Sequence, residues 1–181
     1  MTPRTAALSL AAASTIALGS VALADEKMGH DPAKPPPSPV LEKVKLLAGE
    51  WQGTARAPGD AKTFQTLATV KVVSAGSAVM LVTDPGTPHE MVTLFHADDG
   101  AVLATHYCSA QNQPRMKATA GSTPDRIVFE FVDGTNLKAF PGHMQRLVLT
   151  FPDAKRHVQE WVFREPGGAE NSMVFEMARK G

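Results

Sequence analysis

The sequence predicts an all-β fold: an up-and-down antiparallel β-barrel of about ten strands, preceded by one short helix. Between residues 38 and 180, short runs of alternating apolar and polar residues are separated by clusters of Gly, Pro, Asp and Ser. A helical period occurs once, just ahead of the first run. Ten strands with tight links would leave two exposed edges unless the sheet closed, and a closed sheet of this size predicts an internal cavity.

Two segments precede the predicted barrel. Residues 1–24 combine one positive charge, Arg4, with an Ala-, Leu- and Ser-rich run and a small-residue site, which predicts a signal peptide cleaved after Ala24. Residues 25–38 include Lys34-Pro35-Pro36-Pro37-Ser38, so we expect an extended, disordered linker there. The barrel domain is predicted over residues 39–181. The protein is therefore expected in the periplasm or outside the cell, with no membrane span after cleavage.

Charge and cysteine content narrow the possible partners. The chain has 18 basic and 18 acidic residues, and no basic patch or tail stands out. This balance argues against a nucleic-acid partner. The single cysteine, Cys108, excludes an internal disulfide, so stability must come from the core.

The helical pattern begins at a recognisable cap. Ser38 is a suitable N-cap, Pro39 a suitable first helical residue, and Gly49 a suitable end. Apolar residues between them recur at spacings of three and four, which predicts one buried face. A helix this short is unstable alone, so we expect it to close one end of the barrel.

The ten predicted strands are bounded by turn residues such as Asp84-Pro85-Gly86, Asp99-Gly100 and Asp133-Gly134. Their predicted ranges are 50–56, 64–73, 78–83, 90–96, 102–108, 115–120, 126–132, 145–151, 157–164 and 172–179. Alternation assigns one face of each strand to the interior. The inward residues so predicted are Trp51, Gly53, Ala55, Met116, Ala118, Ala120, Ile127, Phe129, Phe131, Leu147, Leu149, Phe151, Met173, Phe175 and Met177.

The helix, the Gly49-x-Trp51-x-Gly53 start, the ten strands and a basic residue near the C-terminus together resemble the calycin superfamily. That group includes lipocalins, fatty-acid-binding proteins and nitrobindin-like haem barrels. Three further blocks are similar to exported bacterial lipocalin-like domains of unassigned function: 106–108 with 113–116, His143-Met144, and Gln159-Glu160-Trp161. The resemblance implies a barrel with an internal ligand site and names no substrate.

A structural role is expected for the barrel base. Trp51, flanked by Gly49 and Gly53, should pack at the closed end, with Arg179 or Arg164 stacked on its ring as a cation–π lid.

Ligand contacts are expected at the other end. Two polar segments, 108–116 and 134–144, are long enough to form a recognition mouth. The candidate ligand-binding residues are His106, Arg115, Met116, His143 and Trp161. Of these, Arg115 is proposed to hold a carboxylate or phosphate.

A metal site and a haem site are the alternatives to an apolar ligand. His106 and Cys108 are weak metal candidates because they share a strand face, but a structural zinc site needs four ligands. His96 would face the other way if the Asp99-Gly100 loop has two or four residues, and the same way if it has three. Haem is held in nitrobindin-like barrels by a histidine near the C-terminal end, and the last predicted strand here has none.

These observations predict an exported barrel that binds a small, largely apolar molecule, and they favour a binding protein over an enzyme. Two alternatives remain open. One is a haem- or metal-dependent barrel with redox or detoxification activity using His106, Cys108 and His143. The other is a filled barrel that serves as an interaction module of the envelope. The oligomeric state is not predicted.

Overall fold

The computed structural model describes residues 38–181. The predicted signal peptide, the cleavage site after Ala24 and all of the linker except Ser38 lie outside the described residues. Within the described range, the fold is a closed barrel of ten antiparallel strands with one short helix before the first, as predicted. The strands pair in chain order, and β1 closes the barrel against β10.

The elements are close to those expected, with differences mainly at strand ends. They are α1 (Pro39–Lys45), β1 (Gly49–Arg56), β2 (Phe64–Val73), β3 (Ala78–Thr83), β4 (Met91–Asp98), β5 (Ala101–Tyr107), β6 (Gln113–Ala118), β7 (Arg126–Thr135), β8 (His143–Asp153), β9 (Arg156–Arg164) and β10 (Glu170–Arg179). A single 3₁₀ turn at Ser74–Gly76 links β2 and β3. None of the described helices is long and apolar enough to span a membrane.

The helix begins as its sequence predicts, but it ends at Lys45, and the predicted terminator Gly49 is instead the first residue of β1. Ser38 is extended and its hydroxyl accepts a hydrogen bond from the backbone N–H of Leu41 at 3.4 Å. Leu41, Val44 and Leu47 are buried in the same core cluster as Trp51. The helical segment therefore covers the end of the barrel at which β1 begins, and we call this end the base.

One predicted turn was wrong. Asp133-Gly134 was expected to end a strand, but β7 continues through both residues to Thr135. A bulge at Arg115/Met116 shifts the β6–β7 register at this point. A Cβ on Gly134 would lie 3.0 Å from the carbonyl oxygen of Gln113, so this glycine permits a close approach of two strands.

The Asp99-Gly100 hairpin has the two-residue loop that one predicted register required. Asp98 pairs with Ala101, and the two loop residues have φ values of 42° and 84°, the signs of a type I′ turn. Thr93 consequently pairs with His106, and His96 pairs with Leu103 on the opposite face. The prediction that His96 points away from His106 is confirmed.

Candidate functional site

The base is held by contacts between Trp51, the end of the helical segment and the last strand. Trp51 is 1% exposed, and its indole N–H donates to the carbonyl of Leu47 at 2.7 Å. The Arg179 guanidinium lies over the indole, 4.3 Å from the ring centroid. It also donates to the carbonyls of Ala48 at 2.6 Å and Leu46 at 2.8 Å. Carbonyls at the end of a helical segment need such donors.

Two glycines leave room for this arrangement. Gly49 has φ +133°, and a Cβ there would lie 2.5 Å from Nη1 of Arg179. A Cβ on Gly53 would lie 2.0 Å from the carbonyl oxygen of Glu176 on the neighbouring strand. The Gly-x-Trp-x-Gly spacing thus lets Arg179 reach the helical segment and lets β1 close against β10.

Inside the barrel a polar chain runs along β9 away from the base. His157 meets Trp51 edge to face, with ring centroids 4.3 Å apart. The Trp161 indole N–H donates to Oε1 of Gln159 at 2.9 Å, and because indole can only donate, this fixes the Gln159 amide. Nε2 of Gln159 then donates to Nε2 of His157 at 3.0 Å. His157, Gln159 and Trp161 are all buried.

This geometry keeps His157 neutral. Protonation of its Nε2 would make that N–H face the N–H of the Gln159 amide, so two donors would oppose each other. The amide cannot rotate to present its oxygen without losing the hydrogen bond from Trp161. Burial, and secondarily the charge of Arg179, lowers the pKa of His157 to about 4.

His106 occupies the interior beyond this chain. It is 2% exposed, and its Nδ1 is 2.9 Å from the hydroxyl oxygen of Thr93. Its ring lies against the ring of Trp161 with centroids 4.8 Å apart. Nε2 is buried and has no hydrogen-bond partner among residues 38–181. Burial lowers the pKa of His106 to about 4, so the ring is neutral near pH 7.

Half-buried apolar side chains surround the end of the barrel opposite the base, which we call the far end. They sit at inward positions of β4, β7, β8, β9 and β10, and the interior beneath them is fully buried. Met and Phe at such positions give an adaptable apolar lining. The residues are Met91, Phe131, Met144, Phe163, Met173 and Phe175.

The two segments proposed as a mouth come together at the far end. Asn112 is fully buried, and its Nδ2 donates to the carbonyls of Phe140 at 2.7 Å and Gly142 at 2.6 Å. Nδ2 of Asn136 donates to the carbonyl of Gln111 at 2.6 Å. The polar segments 108–112 and 136–142 are therefore tied to each other.

The structure places the five candidate ligand residues in different environments. His106 and Trp161 are in contact inside the barrel. Met116 is also inside, fully buried in the main core cluster. His143 lies at the far end, where its Nδ1 donates to the carbonyl of Pro141 at 2.7 Å and its ring contacts Phe131.

Arg115 is not brought to the interior. Its guanidinium lies on the outer face and forms an ion pair with Asp133, which lowers the pKa of that carboxyl. The physical reason is the two-residue period of β6: since Met116 faces inward, Arg115 faces outward.

Cys108, the other weak metal candidate, lies just outside the strand in which it was predicted. It follows β5 in a turn, and burial raises the pKa of its thiol above the ordinary value. In the part of the chain that the structure describes, no three His, Cys, Asp or Glu residues are grouped to hold a metal ion.

Four residues of the polar interior were not among the five candidates, although Asn112 lies in the predicted mouth segment 108–116: Thr93, Asn112, His157 and Gln159. A signal for two of them was present, because His157, Gln159 and Trp161 occupy successive inward positions of one strand. Three such residues in a row are unusual for a purely apolar core. Asn112 carried no comparable signal, since its role depends on a loop about thirty residues later in the chain.

The barrel is similar to solved structures. A crystal structure of Rv2717c from M. tuberculosis matches with a TM-score of 0.54 and 18% identity, over 79% of this chain and 98% of that one. In fold, the two barrels are alike. A protein of the DUF3598 family from Nostoc punctiforme PCC 73102, described as of unknown function, matches at TM-score 0.45 and 9% identity, over 76% and 48% of the two chains. No family model and no curated protein matches this sequence.

Proposed function

We propose that this barrel binds a small, largely apolar molecule at the far end of its interior, with His106 as a polar anchor. The observation that carries the proposal is Nε2 of His106, which is buried beside Trp161 with no partner among the described residues. An unsatisfied buried polar atom costs roughly 1–3 kcal/mol. A ligand that hydrogen-bonds to Nε2 would remove that cost.

The apolar lining supports the same proposal. Inward side chains nearer the base, such as Phe95, Ile127 and Leu149, are buried, whereas Met173 and Phe175 toward the far end remain partly exposed. Ligand sites combine an apolar lining with a few polar groups that orient the ligand. The far end has both.

We further infer a calycin-type ligand barrel that works outside the cytoplasm. The helix-plugged closed barrel and the Gly49-x-Trp51-x-Gly53 start support the first part. The signal-peptide pattern of residues 1–24 supports the second, and an N-terminal sequence of the exported protein beginning at Asp25 would test it.

A titration with N-phenyl-1-naphthylamine, a neutral apolar fluorophore, tests the binding function. Two adjacent residues of β10 give a matched pair: Met173 faces inward and Val174 outward, and both are half-buried. We expect saturable binding to the unmodified barrel, loss of at least tenfold in affinity in Met173→Glu, and less than a twofold change in Val174→Glu. Equal effects of the two variants, or no saturable binding, would reject an internal site and favour the interaction-module alternative.

The haem alternative depends on the same atom. Nδ1 of His106 is hydrogen-bonded to Thr93 and the ring is neutral, so Nε2 would be the atom that holds a haem, and the haem would supply redox chemistry. The last strand, Glu170–Arg179, contains no histidine. Adding haemin and recording absorbance separates the alternatives, because a stoichiometric Soret band lost in His106→Ala would favour haem.

A further inference from the structure

At the far end, the buried polar atoms without a partner in residues 38–181 are Nε2 of His106, Oδ1 of Asn112, Nε2 of His143 and Oε1 of Gln145. Those of His106 and Asn112 belong to one hairpin, formed by β5 and β6. The backbone N–H of Cys108 donates to the carbonyl of Asn112 at 3.1 Å, and Thr105 pairs with Arg115. Continuing this register makes His106 and Asn112 diagonal neighbours on the inward face of the β5–β6 hairpin, with Cα atoms about 7–8 Å apart. One small polar group could therefore reach both.

The unpartnered atom of Asn112, Oδ1, is a hydrogen-bond acceptor. Both hydrogens of its Nδ2 are directed to carbonyl oxygens, those of Phe140 and Gly142, and this fixes the amide orientation. Oδ1 is buried and is left without a donor within the described residues. The site therefore requires a hydrogen-bond donor.

The arginines of β6 and β9 at the far end lie on the outer face and form ion pairs with acids. Arg115 pairs with Asp133, and Arg164 pairs with Glu170. The inward positions around His106 carry Thr, Met, Phe, Trp and Pro, all of them uncharged. Asp84, next to inward Thr66, accepts a hydrogen bond from its hydroxyl at 2.8 Å, and its charge would repel an anion.

We propose that the far end of the interior selects an uncharged amphiphile whose polar end is a hydrogen-bond donor, an alcohol or a primary amide, over the carboxylate of equal chain length. The hydroxyl or amide donates to Oδ1 of Asn112 and shares a second hydrogen bond with Nε2 of His106. An alcohol has one hydrogen, so once it donates to Asn112 its oxygen accepts a hydrogen bond from the tautomer of His106 that carries the proton on Nε2. A primary amide has two N–H donors and a carbonyl oxygen, so it can satisfy both atoms with either neutral tautomer. This inference rests on the proposed binding function.

The expected selectivity follows from desolvation. A carboxylate that is buried without a cation loses several kcal/mol of hydration free energy, and no inward-facing cation of residues 38–181 compensates for this loss. Lys138 is exposed on the 136–142 segment of the mouth. An anionic ligand would have to recruit this lysine.

Displacement of N-phenyl-1-naphthylamine by 1-decanol, decanamide and decanoate at pH 7.5 tests the inference. We expect decanol and decanamide to bind at least tenfold tighter than decanoate. In His106→Phe the fluorophore should still bind while the advantage of decanol falls at least fivefold. His96→Phe, on the outer face of the adjacent strand, should leave it unchanged, with thermal melting confirming that both variants fold.

Decanoate binding as tightly as decanol would overturn the selectivity, and a loss of decanoate binding in Lys138→Ala would assign the anchor to that lysine instead. In either case saturable binding of the fluorophore would leave the binding function standing. Failure of the fluorophore to bind at all would reject the binding function and this inference with it.

Discussion

The two ends of the barrel are built from similar side chains but satisfied to different degrees. At the base, the Trp51 indole and the Arg179 guanidinium donate to backbone carbonyls, and one buried polar atom, Nδ1 of His157, is without a partner in residues 38–181. At the far end, four side chains, those of His106, Asn112, His143 and Gln145, each keep one buried polar atom without a partner in residues 38–181, and the apolar lining is half-buried. The polar groups of the base are therefore the better satisfied, and the proposed ligand site depends on the unpartnered atoms of the far end.

Substitution of the base tryptophan should have the largest effect on stability. Trp51→Ala removes a buried aromatic ring and the bond to Leu47, so we expect it to destabilise the fold by about 3–5 kcal/mol. Phe163→Ala, at an inward but half-buried position of the far end, should cost less than about half of that. Urea unfolding of both variants measures the contrast, and equal costs would show that the two ends are packed alike.

Acidification should destabilise the barrel through its two buried histidines. The folded-state pKa of each is lowered to about 4, below an unfolded value of about 6.5. The unfolded chain therefore takes up these protons first, and stability falls as pH drops from about 6.5 to about 4, by on the order of 3 kcal/mol for each histidine. Below about pH 4 this contribution no longer changes.

Urea unfolding at several pH values measures that slope. His106→Phe should reduce it by roughly half, whereas His96→Phe should leave it intact. A slope that is unchanged in His106→Phe would show that His106 titrates normally in the folded protein.

Loss of the contact between Arg179 and the helical segment should have an intermediate effect on stability. Arg179→Met keeps most of the apolar stem but loses two charged hydrogen bonds and the cation–π contact, so we expect a cost of about 1–3 kcal/mol. Hydrogen exchange should increase at the amides of residues 41–48 relative to β5. Uniform loss of protection across the barrel would mean that Arg179 does not act locally on the helical segment.

Loss of the ion pair between Arg115 and Asp133 on the outer face should have the smallest effect on stability. Arg115→Gln breaks an exposed pair with Asp133, which we expect to change stability by less than about 0.5 kcal/mol. Binding of N-phenyl-1-naphthylamine should also be unchanged. A tenfold loss of binding would place Arg115 at the ligand after all.

Much of the architecture could be predicted because its signals are local. Ser38 and Pro39 specify the start of the helix, and Asp99-Gly100 specifies a two-residue turn that fixes the β4–β5 register. That register places His106 and His96 on opposite faces, and only burial in the structure shows that His106 is the inward one. The prediction failed at Asp133-Gly134, where the same kind of dipeptide lies within a strand because two strands approach closely.

The candidate site was only partly predictable, for a related reason. Period-two alternation puts Met116 inside and Arg115 outside, although the polar character of its segment made Arg115 a candidate for ligand contact. The structure alone shows that His106 and Trp161 face inward. Thr93, Gln159 and Asn112 matter through the atoms they meet, and those partners are set by pairing between strands and by loop contacts.

By itself, the sequence determined the strand order, the capped helix, the glycines beside Trp51 and the inward face of most strands, since each depends on neighbours a few residues apart. Only the tertiary structure decided which buried polar atoms find partners. Closure of the sheet brings residues distant in sequence together, and the balance of donors and acceptors inside the barrel depends on all ten strands at once.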